Sequence, residues 1–155
     1  MSDHTVVVAR TFDAPSALVF KMWTDPEHLV RWVIPRGFAS PIIEHMDART
    51  GGSLRMRMNY SDGNVYLSKW SFVEVTEPER IIYDEVCDVN GATFHRARQT
   101  VEFAEAAGKT TISIRGEIEL VPGRDPRLTL EAMRTGWSDG WNDNFDKLEA
   151  LIKMR

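Results

Sequence analysis

The chain has 155 residues, enough for one hydrophobic core and too few for two ordinary domains with a linker between them. Its 19 Lys and Arg against 23 Asp and Glu leave a net charge of −4, which excludes the basic patch that nucleic-acid phosphates demand. No apolar run approaches the roughly 20 residues needed to cross a bilayer, and Met1-Ser2-Asp3-His4 lacks the basic-then-apolar profile of a secretory signal, so the expectation is a cytoplasmic chain without nucleic-acid partner or membrane insertion.

Thr5 to Phe12 is rich in Val and Thr and reads as a strand that stops at Asp13-Ala14-Pro15. Pro15 opens a helix through Trp23, on which Val19, Met22 and Trp23 share a face. Asp25-Pro26 repeats the pattern of N-cap and first helical residue, and Leu29, Val30 and Trp32 give a second short helix its apolar side before Pro35-Arg36-Gly37.

The period then changes to two. Leu54, Met56, Met58 and Tyr60 alternate with Ser53, Arg55, Arg57 and Asn59, so one face is buried and the other wet. Ser61-Asp62-Gly63-Asn64 turns the chain into a strand from Val65 to Val75, and Glu77-Pro78-Glu79 turns it again into Arg80 to Cys87. Asn90-Gly91 precedes a strand at Ala97 to Phe103, and Ala107-Gly108-Lys109 one at Thr110 to Leu120, where Ile112, Ile114, Ile118 and Leu120 face one way. These strands predict an antiparallel meander with one solvated face.

Asp125-Pro126 marks a third helix start. Leu130, Met133, Trp137, Trp141, Phe145, Leu148 and Ile152 follow at steps of three or four, forming one stripe that runs to the end of the sequence. Such a helix is roughly 40 Å long and must cross the molecule on the apolar face of the sheet. Gly136 and Gly140, one turn apart, each cost about 1 kcal/mol relative to alanine. Close approach of the helix backbone to a strand is the simpler reason for them; room for a ligand is the sharper one.

No catalytic group of residues is visible. His4, His28, His45 and His95 lack metal-ligand spacing, and the chain holds no second cysteine beside Cys87, which reads as a small packing residue without chemistry. Glu44-His45 and Asp84-Glu85 are neighbours on strands, so each pair points to opposite faces and reads as solvated charge. Gly-rich phosphate loops and nucleophile elbows are absent from the sequence. Neither a metal nor a cofactor is expected.

A binding site is easier to motivate. Met56, Met58 and Tyr60 share an inward strand face near Trp70 and Tyr66, and the long helix brings Met133, Trp137 and Trp141 over them. Tyr83, Gln99 and Arg36 are the candidate polar anchors in this apolar wall, their inward orientation inferred from alternation. Trp32, Phe38 and Ile114 complete the expected lining.

The order of strand, two short helices, about six antiparallel strands and a long helix, with its local motifs, resembles the START-like, helix-grip superfamily, also called SRPBCC. Within it the chain is similar to the branch of the C-terminal domain of the activator of the ninety-kilodalton heat-shock chaperone's ATPase. The matching segments are Arg10-Thr11-Phe12-Asp13-Ala14-Pro15, Trp23-Thr24-Asp25-Pro26-Glu27 and Trp32 through Pro35-Arg36-Gly37-Phe38. Asp47-Ala48-Arg49-Thr50-Gly51-Gly52, the strand-turn from Glu74 to Arg80, and the terminal helix from Gly136-Trp137 to Leu148 follow in the same order. The resemblance implies an α+β helix-grip fold spanning residues 1–155 as one domain. Superfamily members bind or transport lipids, hormones and polyketides under the long helix, and some are cyclases or dehydratases. The leading expectation is therefore a small hydrophobic partner bound between sheet and helix by a monomer or homodimer. A cyclase- or hydrolase-like enzyme acting on an apolar or polyketide-like substrate through Tyr83, Glu85 or Gln99 is the alternative, and a chaperone-interaction module is the third reading.

Overall fold

A computed structural model describes residues 4–121 and 129–155. The valine-rich start is β1 (Thr5–Phe12), followed by α1 (Ser16–Thr24) and α2 (Pro26–Leu29). The start of α2 is capped by its own neighbour and that of α1 by a residue remote in sequence. Asp25 accepts the Glu27 backbone N–H at 2.9 Å, and Glu105 accepts from the Ser16 N–H at 2.7 Å, so donors left free by the first helical turns are satisfied. Six strands come next: β2 (Ile42–Met46), β3 (Ser53–Asn59), β4 (Val65–Thr76), β5 (Arg80–Val89), β6 (Ala92–Ala106) and β7 (Lys109–Leu120).

The strands form one antiparallel sheet in the order β1-β7-β6-β5-β4-β3-β2. Sequence neighbours from β2 onward pair as hairpins, whereas β1 crosses to the far edge and pairs β7, with Thr5 opposite Glu117 and Phe12 opposite Thr110. Asn90-Gly91 and Ala107-Gly108 all have positive φ, the conformation that two-residue hairpin turns require. The outer face carries charge, including the Arg98 pair with Asp84 at 2.7 Å and Glu44 held between Arg55 and Arg57.

The long helix is α3 (Leu130–Lys153), 24 residues or about 36 Å. The start expected at Asp125-Pro126 lies outside the described residues; among those described the helix is capped by Thr129, whose hydroxyl accepts the Ala132 N–H at 3.0 Å. Met133, Trp137, Trp141, Phe145, Leu148 and Ile152 are buried, as the stripe requires. Trp141 stacks on Trp23 of α1, centroids 5.3 Å apart and planes at 10°, and Phe145 meets Phe12 of β1 edge-on. Helix, sheet and short helices thus share one core, an α+β fold with the long helix gripped by a curved sheet.

Two expectations about glycine are corrected. A Cβ at Gly136 would meet nothing within 4 Å and one at Gly140 only Pro35 at 3.8 Å, so neither marks close approach to a strand. The close approach is at Gly116 on β7, where a Cβ would lie 2.7 Å from both the Trp137 ring and the Gln99 amide oxygen. That glycine is what lets the Trp137 ring approach β7 so closely.

Candidate ligand-binding site

The inner face of the sheet is best seen as rows running across the strands. Leu54, Trp70, Glu85, Ala97 and Ile118 are successive cross-strand partners from β3 to β7, and Met56, Ser68, Cys87 and His95 form the adjacent row. A third row joins Phe72, Tyr83, Gln99 and Gly116. The aliphatic and aromatic members are what alternation predicts. The middle of the face, however, holds Ser68, Glu85, His95 and Gln99, a polar group inside an apolar wall.

These side chains are linked. Trp70 donates its indole N–H to Ser68 Oγ at 2.9 Å, Ser68 donates to Glu85 Oε2 at 2.5 Å, and the Gln99 amide donates to Glu85 Oε1 at 3.3 Å. Both carboxylate oxygens are therefore held, which fixes the orientation of a charge facing the interior. Glu85 points inward with Tyr83 and Cys87, two residues to either side, as the enzyme alternative required and against the reading of it as solvated charge. Asp84 takes the outer face with Arg98.

Above this floor lies a cavity of about 190 Å³, lined by Met56, Met58, Ser68, Trp70, Glu85 and His95 from the sheet. Trp137, Trp141, Asn144, Gly136 and Gly140 come from α3, and Val33, Pro35 and Phe38 from the segment after α2. It adjoins a larger surface groove of about 580 Å³ through Pro35, Phe38, Gly136 and Gly140, which line both. The two helical glycines therefore stand where the two spaces meet.

Six of the thirteen residues expected at the site line the cavity: Phe38, Met56, Met58, Trp70, Trp137 and Trp141. Arg36 and Tyr60 line the outer groove instead. Arg36 is exposed, and its backbone N–H, rather than its guanidinium, meets Asp143 at 3.0 Å, so it is no interior anchor. Trp32 is fully buried with its indole N–H on the Met22 carbonyl, and Ile114 and Met133 belong to the packed core. Tyr83 and Gln99 do face inward, but they belong to the neighbouring row and are not part of the cavity lining. Tyr83 stacks on Trp70 at 3.8 Å, and burial pushes its phenol well above the ordinary value of 10.0, so it stays protonated.

The residues missed were Ser68, His95 and Asn144; Glu85 was named only for the enzyme alternative. Each carried a signal. Ser68 has the parity of Trp70, His95 that of Gln99, and Asn144 lies three residues beyond Trp141 on the same helix face.

The electrostatics leave unmet capacity. Burial holds the His95 imidazole below its ordinary 6.5, against the opposing pull of Glu85, so the ring is neutral near pH 7. His95 Nδ1, Trp137 Nε1, Asn144 Oδ1, Gln99 Oε1 and the Tyr83 hydroxyl are buried with no partner among the described residues. An unmet buried polar atom costs about 1–3 kcal/mol. Three of these five side chains, His95, Trp137 and Asn144, line the cavity.

Comparison with known proteins agrees with this architecture. The family model for activator of Hsp90 ATPase homolog 1-like protein matches residues 13–153. Among solved structures, the protein CV1439 from Chromobacterium violaceum is 24% identical, with 97% of this chain and 98% of that chain covered and a TM-score of 0.80. A protein from Rhizobium leguminosarum is 22% identical over 97% of this chain and 95% of its own, with a TM-score of 0.79. One from Arthrobacter aurescens is 20% identical over 99% and 88%, with a TM-score of 0.81. At these identities the likeness concerns the fold. No curated protein matches the chain.

Proposed function

The chain belongs to the family of activator of Hsp90 ATPase homolog 1-like proteins, and from that premise we propose that it binds one small, mostly apolar molecule with a hydrogen-bonding end, in the cavity beneath α3. The observation that carries this reading is the meeting of unpartnered polar groups with aromatic walls in one opening. His95, Asn144 and Trp137 offer unmet atoms there, while Trp70, Trp141, Phe38 and the two methionines supply the apolar contact.

The volume limits the size. An apolar cavity of about 150 Å³ takes a benzene-sized molecule, so 190 Å³ suits a single substituted ring, with any longer tail passing between Gly136 and Gly140 into the groove. Glu85 is an acceptor, which favours a donor on the ligand such as a phenol or an aromatic amine.

The test is a thermal-shift and tryptophan-fluorescence titration with one-ring phenols and amines, run with a chelator present. A ligand at about 100 times its Kd adds about 2.7 kcal/mol of stability, and the expected result is a clear rise in Tm with altered emission from Trp137 and Trp141. Gly140→Leu, which projects a side chain into the mouth, is expected to abolish the shift while keeping the fold. No shift with any member of the panel rejects the reading. If Hsp90 ATPase activity rises on adding the protein in that case, the chaperone-interaction reading replaces it. Of the residues considered for an enzyme, Tyr83 and Gln99 are fully buried outside the cavity lining and only Glu85 reaches the cavity.

A further inference from the structure

Glu85, Cys87 and His95 stand far from any metal-binding spacing in sequence, yet β5 and β6 bring them together. Cys87 and His95 are direct cross-strand partners, and Glu85 precedes Cys87 by two residues on the same face. One donor atom from each, a carboxylate oxygen, the thiol sulfur and an imidazole nitrogen, lies within 4.8 Å of the others. From this geometry we propose a binding site for a zinc-class divalent cation, held by Glu85, Cys87 and His95 at the floor of the cavity.

Three arguments support it. The first is geometric. Bonds of 2.0–2.3 Å in a tetrahedral shell put donors about 3.5 Å apart, so the three groups need to close by about 1 Å, within the reach of small side-chain rotations. The second is the state of the donors. His95 is 8% exposed and its Nδ1 has no hydrogen-bond partner among the described residues. Glu85 is already oriented by Ser68, itself held by Trp70, and by Gln99; hydrogen bonds of this kind around a metal fix its ligands.

The third argument is charge. Cys87 is buried beside Glu85 and His95, and a thiol that ligates a dication does so as the thiolate. The thiol proton leaves to solvent, and the carboxylate, the thiolate and the neutral imidazole then balance the two positive charges, so the buried site carries no net charge. Glu85 and His95 line the cavity to which α3 contributes Trp137, Trp141 and Asn144, so a cation held by them has that space beside it. Three protein ligands with one open position are the form of a reactive rather than a sealed zinc site.

Cobalt(II) is the direct probe, because Cys87 is the chain's one cysteine and a thiolate-to-cobalt charge-transfer band reports on it alone. Titration of the full chain with no organic ligand present is expected to saturate at one equivalent, with that band and tetrahedral visible absorption, and to be reversed by zinc. Cys87→Ser is expected to lose the band, and His95→Asn and Glu85→Gln to weaken cobalt binding at least tenfold, with circular dichroism confirming the fold. A folded wild-type protein with no thiolate band at stoichiometric cobalt overturns the proposal, as does a band unchanged in His95→Asn. Binding without a thiolate band places the ion on the other histidines and also overturns it. Because the organic ligand is tested in chelator, failure of one proposal leaves the other standing.

Discussion

At the scale of single residues, the interior is shaped as much by what is small as by what is large. Gly116 has inward parity on β7, between Ile114 and Ile118, and its missing Cβ is the space that Trp137 and the Gln99 amide occupy. Gly116→Ala is expected to destabilise the protein by about 1–3 kcal/mol, the cost of overpacking a filled core, measured by urea denaturation with Trp137 emission as a second signal. Alternation identified the large inward residues of β3 and β7 well because their faces are chemically pure. It left Glu85 between two readings, solvated charge and inward catalytic candidate, because the neighbouring Asp84 offers the same chemistry on the opposite face, and only the parity shared with Tyr83 separates them. Arg36 was misplaced because the segment after α2 has no regular period from which to infer direction.

At the scale of elements, the long helix was the most legible part of the sequence. Its stripe of large apolar groups at three- and four-residue steps has one physical solution, and α3 adopts it. What the stripe could not show was spacing from the sheet. That depends on Trp137 settling over Gly116 while Trp141 stacks on Trp23, contacts made with residues remote in sequence. Trp141→Ala is expected to cost about 3–5 kcal/mol by leaving a void between α1 and α3, seen as a large fall in the denaturation midpoint. The helical glycines act in the other direction. With nothing within 4 Å of a Cβ at Gly136, and Pro35 at ordinary contact distance from one at Gly140, alanine at either is expected to stabilise by about 0.8–1 kcal/mol. Both substitutions together test additivity by urea denaturation.

At the scale of the whole molecule, burial of His95 couples the fold to pH. Its folded value lies below the unfolded one, so between the two the unfolded chain binds a proton that the folded chain does not. The contribution is fully present above about 6.5 and is lost as pH falls through the folded value. Asp84, bound by Arg98, and Glu105, bound by the Ser16 N–H, are lowered as well and act in a more acidic window, below the ordinary carboxylate values. The expected outcome is a stability curve that declines below pH 6.5, with His95→Gln flattening the upper part of that decline and leaving the acidic part. Equal slopes in both proteins, measured by urea midpoints from pH 7 to 4, would exclude His95 as the cause. The polar floor itself was not legible as a unit in the sequence, since its members come from three strands and meet only through register.

The pairing of β1 with β7 also sets an order of events during synthesis. Thr5–Phe12 is the first strand made, yet its partner Lys109–Leu120 follows some hundred residues later, while every other pair is a hairpin between consecutive strands. Local pairs close fast and distant ones slowly, because chain entropy must be lost before the contact is gained. On the ribosome, β2 through β7 can zip up in turn while the valine-rich first strand waits with its backbone donors and acceptors unpaired. The strand of this sheet made before the others is thus the one most dependent on protection from foreign strands.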